Sequence, residues 1–397
     1  MFVNNIENDE RMKITIIGWY GTETIGDRAI LAGLISFFNK TYDNFEIKLG
    51  SLYPFFSQRT INEDYSFYKD IIKKDIKIDI FNSKDSKELL KAIKSSDLVV
   101  MGGGPLMDLS ELFMVEYAFK KAKKFGIKTA LLGCGIGPLF HKKYRKSVLN
   151  ISLISDLTIL RDNKSKDNLK EIYEEFNKFF DTDLIVTSYD PSVECTLEYV
   201  KLNKRDEKEY IAVNLREFPL EYNKKNDSKN INDELKSFIK SLVEKYKDKE
   251  IKLIPMHYFH IGGDDRFFLN SIALELKKDN ITVQNSNLTL KETIEVYQNS
   301  YFNVGMRFHS VVLQTIVSGK NYVLDYTEPK KGKIYGFLSD IDKNGFYDSR
   351  YISLQADVIT ADIIQNTDKK FVINEMEIID RLKIYTEKLK GIQKLKF

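Results

Sequence analysis

Two α/β domains, each built on a parallel sheet, are what this sequence predicts, and three observations predict them. Short runs of β-branched and other apolar residues alternate with segments of helical periodicity along most of the chain. The alternation occurs as two series, separated by a run at 201–209 in which Leu202 is the one apolar residue. The 397 residues also exceed what one hydrophobic core usually organises. The reading gives a Rossmann-like domain over 1–200, a second over 201–370 and a terminal helical segment over 371–397.

In chain order, residues 13–17 are an apolar, β-branched run suited to a strand buried on both faces of a parallel sheet. A glycine-bearing loop follows, with Gly18, Gly21, Gly26 and Asp27, and then a helical pattern through Ile30, Leu31, Leu34, Phe37 and Phe38. The loop matches neither GxGxxG nor a P-loop, so no dinucleotide or Walker-type site is read from it. Its amides can still approach an anion or a sugar, and Asp27, taken alone, reads as a helix cap. Further strands are predicted at 45–49, 76–80, 98–101, 129–132, 157–160 and 184–186, with helices at 87–94, 109–124 and 142–154. Two of these strands run into glycine clusters, Gly102-Gly103-Gly104 and Gly133-Cys134-Gly135-Ile136-Gly137. In open α/β sheets ligands bind beyond the carboxyl ends of the strands, so Gly21, Gly26, Gly103, Gly104 and Gly135 are candidate substrate-binding positions. Tight turns before helices are the alternative for each glycine taken alone.

The second series places strands at 210–215, 251–255, 281–284, 301–304 and 322–324 and helices at 232–246, 265–278 and 291–299. Residues 221–230, rich in Lys, Asn, Asp and Ser, read as a surface insertion. At 371–397, Ile373, Met376, Ile379, Leu382, Ile384, Leu389 and Ile392 recur amid lysines and glutamates. That pattern is an amphipathic helix, expected to pack on the protein itself in preference to a membrane surface.

Composition excludes several function classes. The chain carries 61 basic and 58 acidic residues, a balance that gives no argument for a nucleic-acid partner. Only Cys134 and Cys195 occur, in no CxxC or Cys/His cluster, so neither a disulfide framework nor a structural zinc is expected. The first eleven residues lack the pattern of a signal peptide, and no run reaches the length of a membrane span. The expectation is a cytoplasmic protein, at most peripheral at the inner face of the membrane.

The most informative stretch is 301–319. A strand, the turn at Gly305 and a helix stopped by Gly319 put Arg307 and His309 in or beside a first helical turn. Free amides and the positive end of the helix dipole gather there, which suits an anion. A lone Arg-x-His reads as an arginine paired with an acid and a satisfied imidazole. Company raises the functional reading, because Arg216, His257, His260, Asp264 and Asp265 also follow strands of this domain. A metal held by His257, His260 and Asp264 is conceivable but unspecific, and no metal is expected. Asp265 reads as a helix cap.

These motifs together resemble the polysaccharide pyruvyltransferase family. The resemblance is carried by Gly18-Trp19-Tyr20-Gly21 with Ile25-Gly26-Asp27, the triple glycine, Gly133 to Pro138, Asn214-Leu215-Arg216, Pro255-Met256-His257, and Gly305-Met306-Arg307-Phe308-His309 with Gly319. It spans about residues 12–325. Phe308, where a leucine is usual, and the lysine-rich insertion after Leu220 depart from it. The resemblance implies a fold similar to the GT-B glycosyltransferases, with the first domain on the acceptor side, the second on the donor side and the C-terminal helix returning to the first. It also implies transfer of the enolpyruvyl unit of phosphoenolpyruvate to a sugar diol of a cell-surface glycan or its lipid-linked precursor, forming a pyruvate ketal without a cofactor. By the same resemblance Arg216, Arg307 and His309 match the phosphoenolpyruvate site, with His309 as the acid and Asp27 as a candidate base. Two other readings fit the architecture, a glycosyltransferase using a nucleotide-sugar and a non-catalytic glycan-binding protein. A homo-oligomer is compatible with all three.

Overall fold

The computed structural model describes residues 11–219, 222, 231–259 and 263–393. Most of the insertion at 221–230 and His260 lie outside the described residues. The first half alternates β1 (Met12–Ile17), α1 (Ile25–Thr41), β2 (Phe45–Ser51), α2 (Pro54–Ile72), β3 (Ile78–Asn82), α3 (Ser86–Lys94), β4 (Leu98–Leu106), α4 (Leu112–Lys124), β5 (Lys128–Ile136), α5 (Lys142–Ile154), β6 (Leu157–Leu160), α6 (Asn163–Glu175), β7 (Ile185–Thr187) and α7 (Pro191–Leu202). The second half continues with β8 (Tyr210–Val213), α8 (Ile231–Lys245), β9 (Glu250–Leu253), α9 (Asp265–Leu276), β10 (Ile281–Val283), α10 (Leu290–Asn299), β11 (Asn303–Gly305), α11 (Phe308–Val317), β12 (Asn321–Asp325), α12 (Lys333–Ile341) and β13 (Tyr351–Ser353). Helix α13 (Glu375–Gln393) ends the described chain.

Both sheets are parallel. Their strand orders are 3-2-1-4-5-6-7 and 10-9-8-11-12-13, so each half reverses direction beside its first strand. That reversal is where an open α/β sheet leaves a crevice at the carboxyl ends of its strands.

One expectation is corrected here. The glycine clusters are not loops after short strands. β4 runs through Gly102–Gly104 to Leu106 and β5 through Gly133–Gly135 to Ile136, and the two stay paired from Leu98 with Lys128 to Leu106 with Ile136. A strand buried on both faces keeps its ladder because an unpaired buried amide is costly. Gly103 and Gly104 adopt φ of +70° and +71°, and a side chain there would meet Ile30 and Trp19. These two glycines let α1 and Trp19 lie directly on the sheet.

The C-terminal helix packs against α1 in the first half. Tyr385 is fully buried, stacks on Phe37 with ring centres 4.2 Å apart, and donates to the Tyr189 carbonyl at 2.7 Å. Arg381 of the same helix pairs with Asp340 of α12 at 2.5 Å, so α13 touches both halves. Tyr385→Ala should therefore lower unfolding stability by about 3–5 kcal/mol through the cavity it leaves. Tyr385→Phe, which loses the hydrogen bond alone, should cost about 1 kcal/mol. Denaturant titration of both variants measures the difference.

Candidate functional site

Helix α1 opens the site. Its N-cap is Thr24, whose hydroxyl accepts from the Asp27 amide at 3.1 Å, so Asp27 is not the cap. The Asp27 carboxylate instead accepts from the hydroxyls of Thr24 at 2.8 Å and Thr22 at 3.2 Å. Burial pushes the Asp27 carboxyl up; those hydroxyls and His309 oppose it, and the net displacement is upward.

The loop before α1 is stitched to the other half through backbone. Ile25 donates to the Met256 carbonyl at 3.0 Å, Tyr258 donates to the Glu23 carbonyl at 3.2 Å, and Thr24 bridges to His257. Half-buried His257 thus belongs to the junction, and its amide donates to Asp265 at 3.1 Å. Gly21, at φ +88°, lies against Ser51 and Tyr53 of the first half, where a side chain would overlap backbone.

Gly26 lies under His309, and a methyl group there would overlap the imidazole Nδ1. The other ring nitrogen, Nε2, is 3.4 Å from the Asp190 carboxylate. Asp190 caps α7, accepting from the Ser192 amide at 3.0 Å and hydroxyl at 2.7 Å, and Arg161 stands 3.8 Å away. Burial alone would raise the Asp190 carboxyl, but His309, Arg161 and Ser192 outweigh it and hold it below the ordinary value. Sequence reasoning missed this aspartate. Asp190-Pro191-Ser192 signals a helix start, and nothing local shows that the second carboxylate oxygen faces a histidine 119 residues later.

Arg307 is the N-cap residue of α11, with its amide on Asn214 at 3.0 Å. Its guanidinium grips a protein carboxylate, Nε at 2.8 Å and Nη2 at 2.5 Å from Asp265, in a pair that is almost wholly buried. This corrects two expectations. The planar fork of Arg307 is engaged within the protein, and Asp265 is not a cap; Asp264 caps α9, accepting from the Arg266 amide at 3.0 Å. Asp264 also pairs with the Arg266 side chain at 2.6 Å and accepts from the Phe259 amide, so its oxygens are engaged where a metal ligand was conceivable.

A second group of cations lies one strand further on. Tyr326 is buried beyond β12, where burial would raise its hydroxyl, yet Lys333, Arg216 and Arg307 hold it below the ordinary tyrosine value. The Arg216 guanidinium is 5.5 Å and the Lys333 ammonium 5.7 Å from the Tyr326 ring centre. Lys333 is the first residue of α12, so its charge adds to the positive end of that helix. The sequence reading did not find Lys333 or Tyr326.

Beside this cluster a cleft of about 710 Å³ opens between the halves, lined among others by Phe140, Arg145, Arg161, Asn168, Thr327 and Lys333. Gly135 allows the Arg161 guanidinium, which lines the cleft, to lie on β5, where a side chain would collide with it. Arg161 in turn stacks on Phe308 at 4.3 Å. Arg161 is thus the side chain that connects the cleft to Asp190, 3.8 Å away, and Arg145, Lys164, Lys331 and Lys333 make the rest of its lining cation-rich.

A family model for polysaccharide pyruvyl transferases matches residues 25–326, a span that includes Gly26, Asp27, Asp190, Arg216, His257, Arg307 and His309. The chain belongs to the polysaccharide pyruvyl transferase family. It is accordingly a glycan-modifying transferase. No curated protein sequence matches it. Among solved structures, the UDP-GlcNAc 2-epimerase of Methanocaldococcus jannaschii is 17% identical with a TM-score of 0.52, covering 94% of this chain and 93% of its own. MnaA of S. aureus, in a co-structure with UDP, is 13% identical with a TM-score of 0.55, covering 96% and 91%. The epimerase of Neisseria meningitidis bound to UDP-GlcNAc gives 14% and 0.51, covering 96% and 94%. At such identity these likenesses show the GT-B-like fold alone.

The junction of this pyruvyl transferase family member has a titration of its own. Glu23, in the left-handed region at φ +60° and paired with Arg59, is pushed up to about 7 by burial, against the opposing charges of Arg59 and Arg28. A carboxyl raised on folding adds stability that is fully present below its unfolded value and is lost as pH rises through the folded one. The loss should fall between about pH 4.5 and 7 and reach at most roughly 3 kcal/mol. Glu23→Gln should therefore melt above the parent at pH 8, with the gap closing near pH 5. Gly26→Ala should keep both halves folded but force His309 or the junction aside, abolishing transfer with little change in circular dichroism.

Proposed function

We propose that this chain transfers the enolpyruvyl unit of phosphoenolpyruvate to two hydroxyls of one sugar residue, forming a pyruvate ketal and releasing inorganic phosphate. The observation that carries this reading is the grouping of Arg216, Lys333 and Arg307 around Tyr326 at the start of α12. A small dianionic or trianionic ligand with a carboxylate and a phosphate answers such a group. Arg216 and Lys333 serve it directly, while Arg307 is paired with Asp265 and acts by holding the turn before α11.

The chemistry follows from balance. The methylene carbon gains a proton, the central carbon gains two sugar oxygens and loses the phosphate, and the second hydroxyl proton leaves with the phosphate. His309 supplies the proton. Its Nε2 lies 3.4 Å from the Asp190 carboxylate, which orients the ring for proton exchange. A carboxylate behind the ring also offsets the charge of the protonated form. Asp27, one residue beyond Gly26 and raised by burial, is matched to accept a hydroxyl proton. The cleft lined by Phe140, Asn168 and Thr327 takes the saccharide, whose rings stack on aromatic side chains and bond to amides and hydroxyls.

The test is a coupled phosphate-release assay with phosphoenolpyruvate and a panel of free and lipid-linked saccharides. His309→Gln should lower kcat by about 10² to 10⁴ with KM nearly unchanged. Arg216→Ala and Lys333→Ala should each raise KM for phosphoenolpyruvate by about one to two orders of magnitude, the equivalent of roughly 1.5–3 kcal/mol. Asp190→Asn should lower kcat and leave KM in place. Arg307→Ala is the poorer probe, since stranding Asp265 should destabilise the fold by about 3–5 kcal/mol. Release of a nucleoside diphosphate from a nucleotide-sugar, with no phosphate from phosphoenolpyruvate, would overturn the assignment.

A further inference from the structure

Charge is distributed unevenly over this molecule. From Leu112 to Ser155, through α4, β5 and α5, there are nine lysines and arginines and one acidic residue, Glu116. That segment is therefore +8, and the chain total of +3 leaves the remainder at −5. The two helices lie side by side on one face of the first sheet. Lys142, Lys143, Arg145 and Lys146 fall within a single stretch of α5. Lys142 and Lys143 rest on the rings of Phe176 and Tyr144, at 5.6 Å and 4.8 Å, while Arg145 pairs with Glu175. The one acid of the segment is taken by Lys120 and Asn150.

Large apolar side chains stand in the same place. Leu109, Phe113 and Phe140 are 37%, 41% and 49% exposed, and Phe113 stacks on Tyr144 with centres 5.2 Å apart. The loop that presents Phe140 is pinned, since Asp108 accepts from the Phe140 amide at 3.0 Å and contacts the His141 ring at 2.5 Å. Other apolar side chains of this protein are more exposed, among them Phe55 and Phe179, but Leu109, Phe113 and Phe140 stand together beside lysines, and that combination matches an interfacial anchor. The patch is continuous with the cleft, whose lining includes Phe140 and Arg145. No helix among the described residues is long and apolar enough to cross a membrane, so any lipid contact of these residues is of this surface kind.

We infer that the α4–α5 face, with Leu109, Phe113, Phe140 and Lys142, Lys143 and Lys146, docks on an anionic lipid bilayer and presents the cleft mouth to the membrane plane. Aromatics at this density favour a lipid surface over a nucleic acid, which would call for charge along a groove with bases to stack. Nothing in this argument uses the pyruvyl chemistry, so either can fail alone.

The test is co-sedimentation of the full chain with phosphatidylglycerol-containing vesicles and with pure phosphatidylcholine vesicles, at low and high salt. The parent should bind the anionic vesicles and bind the neutral ones weakly. Replacing Lys142, Lys143 and Lys146 together by glutamate should lower partitioning by at least about 10²-fold, at roughly 1 kcal/mol for each lysine removed. Leu109→Ser with Phe113→Ser should leave low-salt binding but abolish what survives at high salt, where charge is screened. Turnover on a water-soluble saccharide should be unchanged in both variants, and this also certifies their folding. Failure of the parent to bind anionic vesicles at low salt overturns the proposal. So does unchanged vesicle binding in both variants, or a loss in both of DNA binding or of self-association with vesicle binding intact.

Discussion

The close approach of two helix starts at Gly26 is the constraint on which the site depends. Helix α1 of the first half and α11 of the second meet there with no room for a single added carbon. Because that distance is fixed, the His309 ring is caught between Gly26 and the start of α7, and its nitrogens face different partners. The carbonyl and amide bonds from Glu23 and Ile25 to Tyr258 and Met256 hold the same separation from the side. Neither half alone contains the arrangement. His309 comes from the second half, and the Asp190 carboxylate and Gly26 that bound its ring come from the first.

The cations show how a protein divides charge between shape and ligand. A guanidinium and a carboxylate buried together at 2.5–3.1 Å satisfy one another and fix the turn that launches α11. The pair contributes little net field, and binding a strongly charged small molecule falls to groups not cancelled in this way. Lys333 stands at the start of α12, where the helix end adds to its charge, and it shares with Arg216 and Arg307 the depression of the Tyr326 hydroxyl. An arginine beside a helix start is thus a poor guide to a ligand contact until its carboxylate partner is known.

Much of the fold was legible locally. Apolar β-branched runs marked β6 to the residue and most other strands to within a few residues, because a strand covered on both faces has no choice but to be apolar. The charged run at 201–209 does fall between the two sheets. Helices α2, α6, α7 and α12 and strand β13 were not read: α6 is largely polar, and α7 is buried on nearly all sides, so neither shows a clear stripe. The glycine clusters were misplaced because loop chemistry and close packing under a helix ask for the same residue. Within the site, Gly26, Asp27, His257, Arg307 and His309 are gathered at the junction, and Arg216 stands beside Tyr326. Asp190 and Lys333 escaped because their meaning lies in neighbours more than a hundred residues away.

The return of α13 to the first half means that the polypeptide passes between the halves twice. Both passages touch one spot. Lys320 pairs with Glu207 of the first passage at 3.0 Å, and the Gly319 carbonyl receives the Phe371 amide, at the start of the second, at 2.9 Å. Two covalent tethers side by side remove the freedom that one would leave. Gly319, left-handed and pressed against Phe371, therefore ends a helix and also ties the start of the second passage to it, a contact that any side chain at this position would push apart.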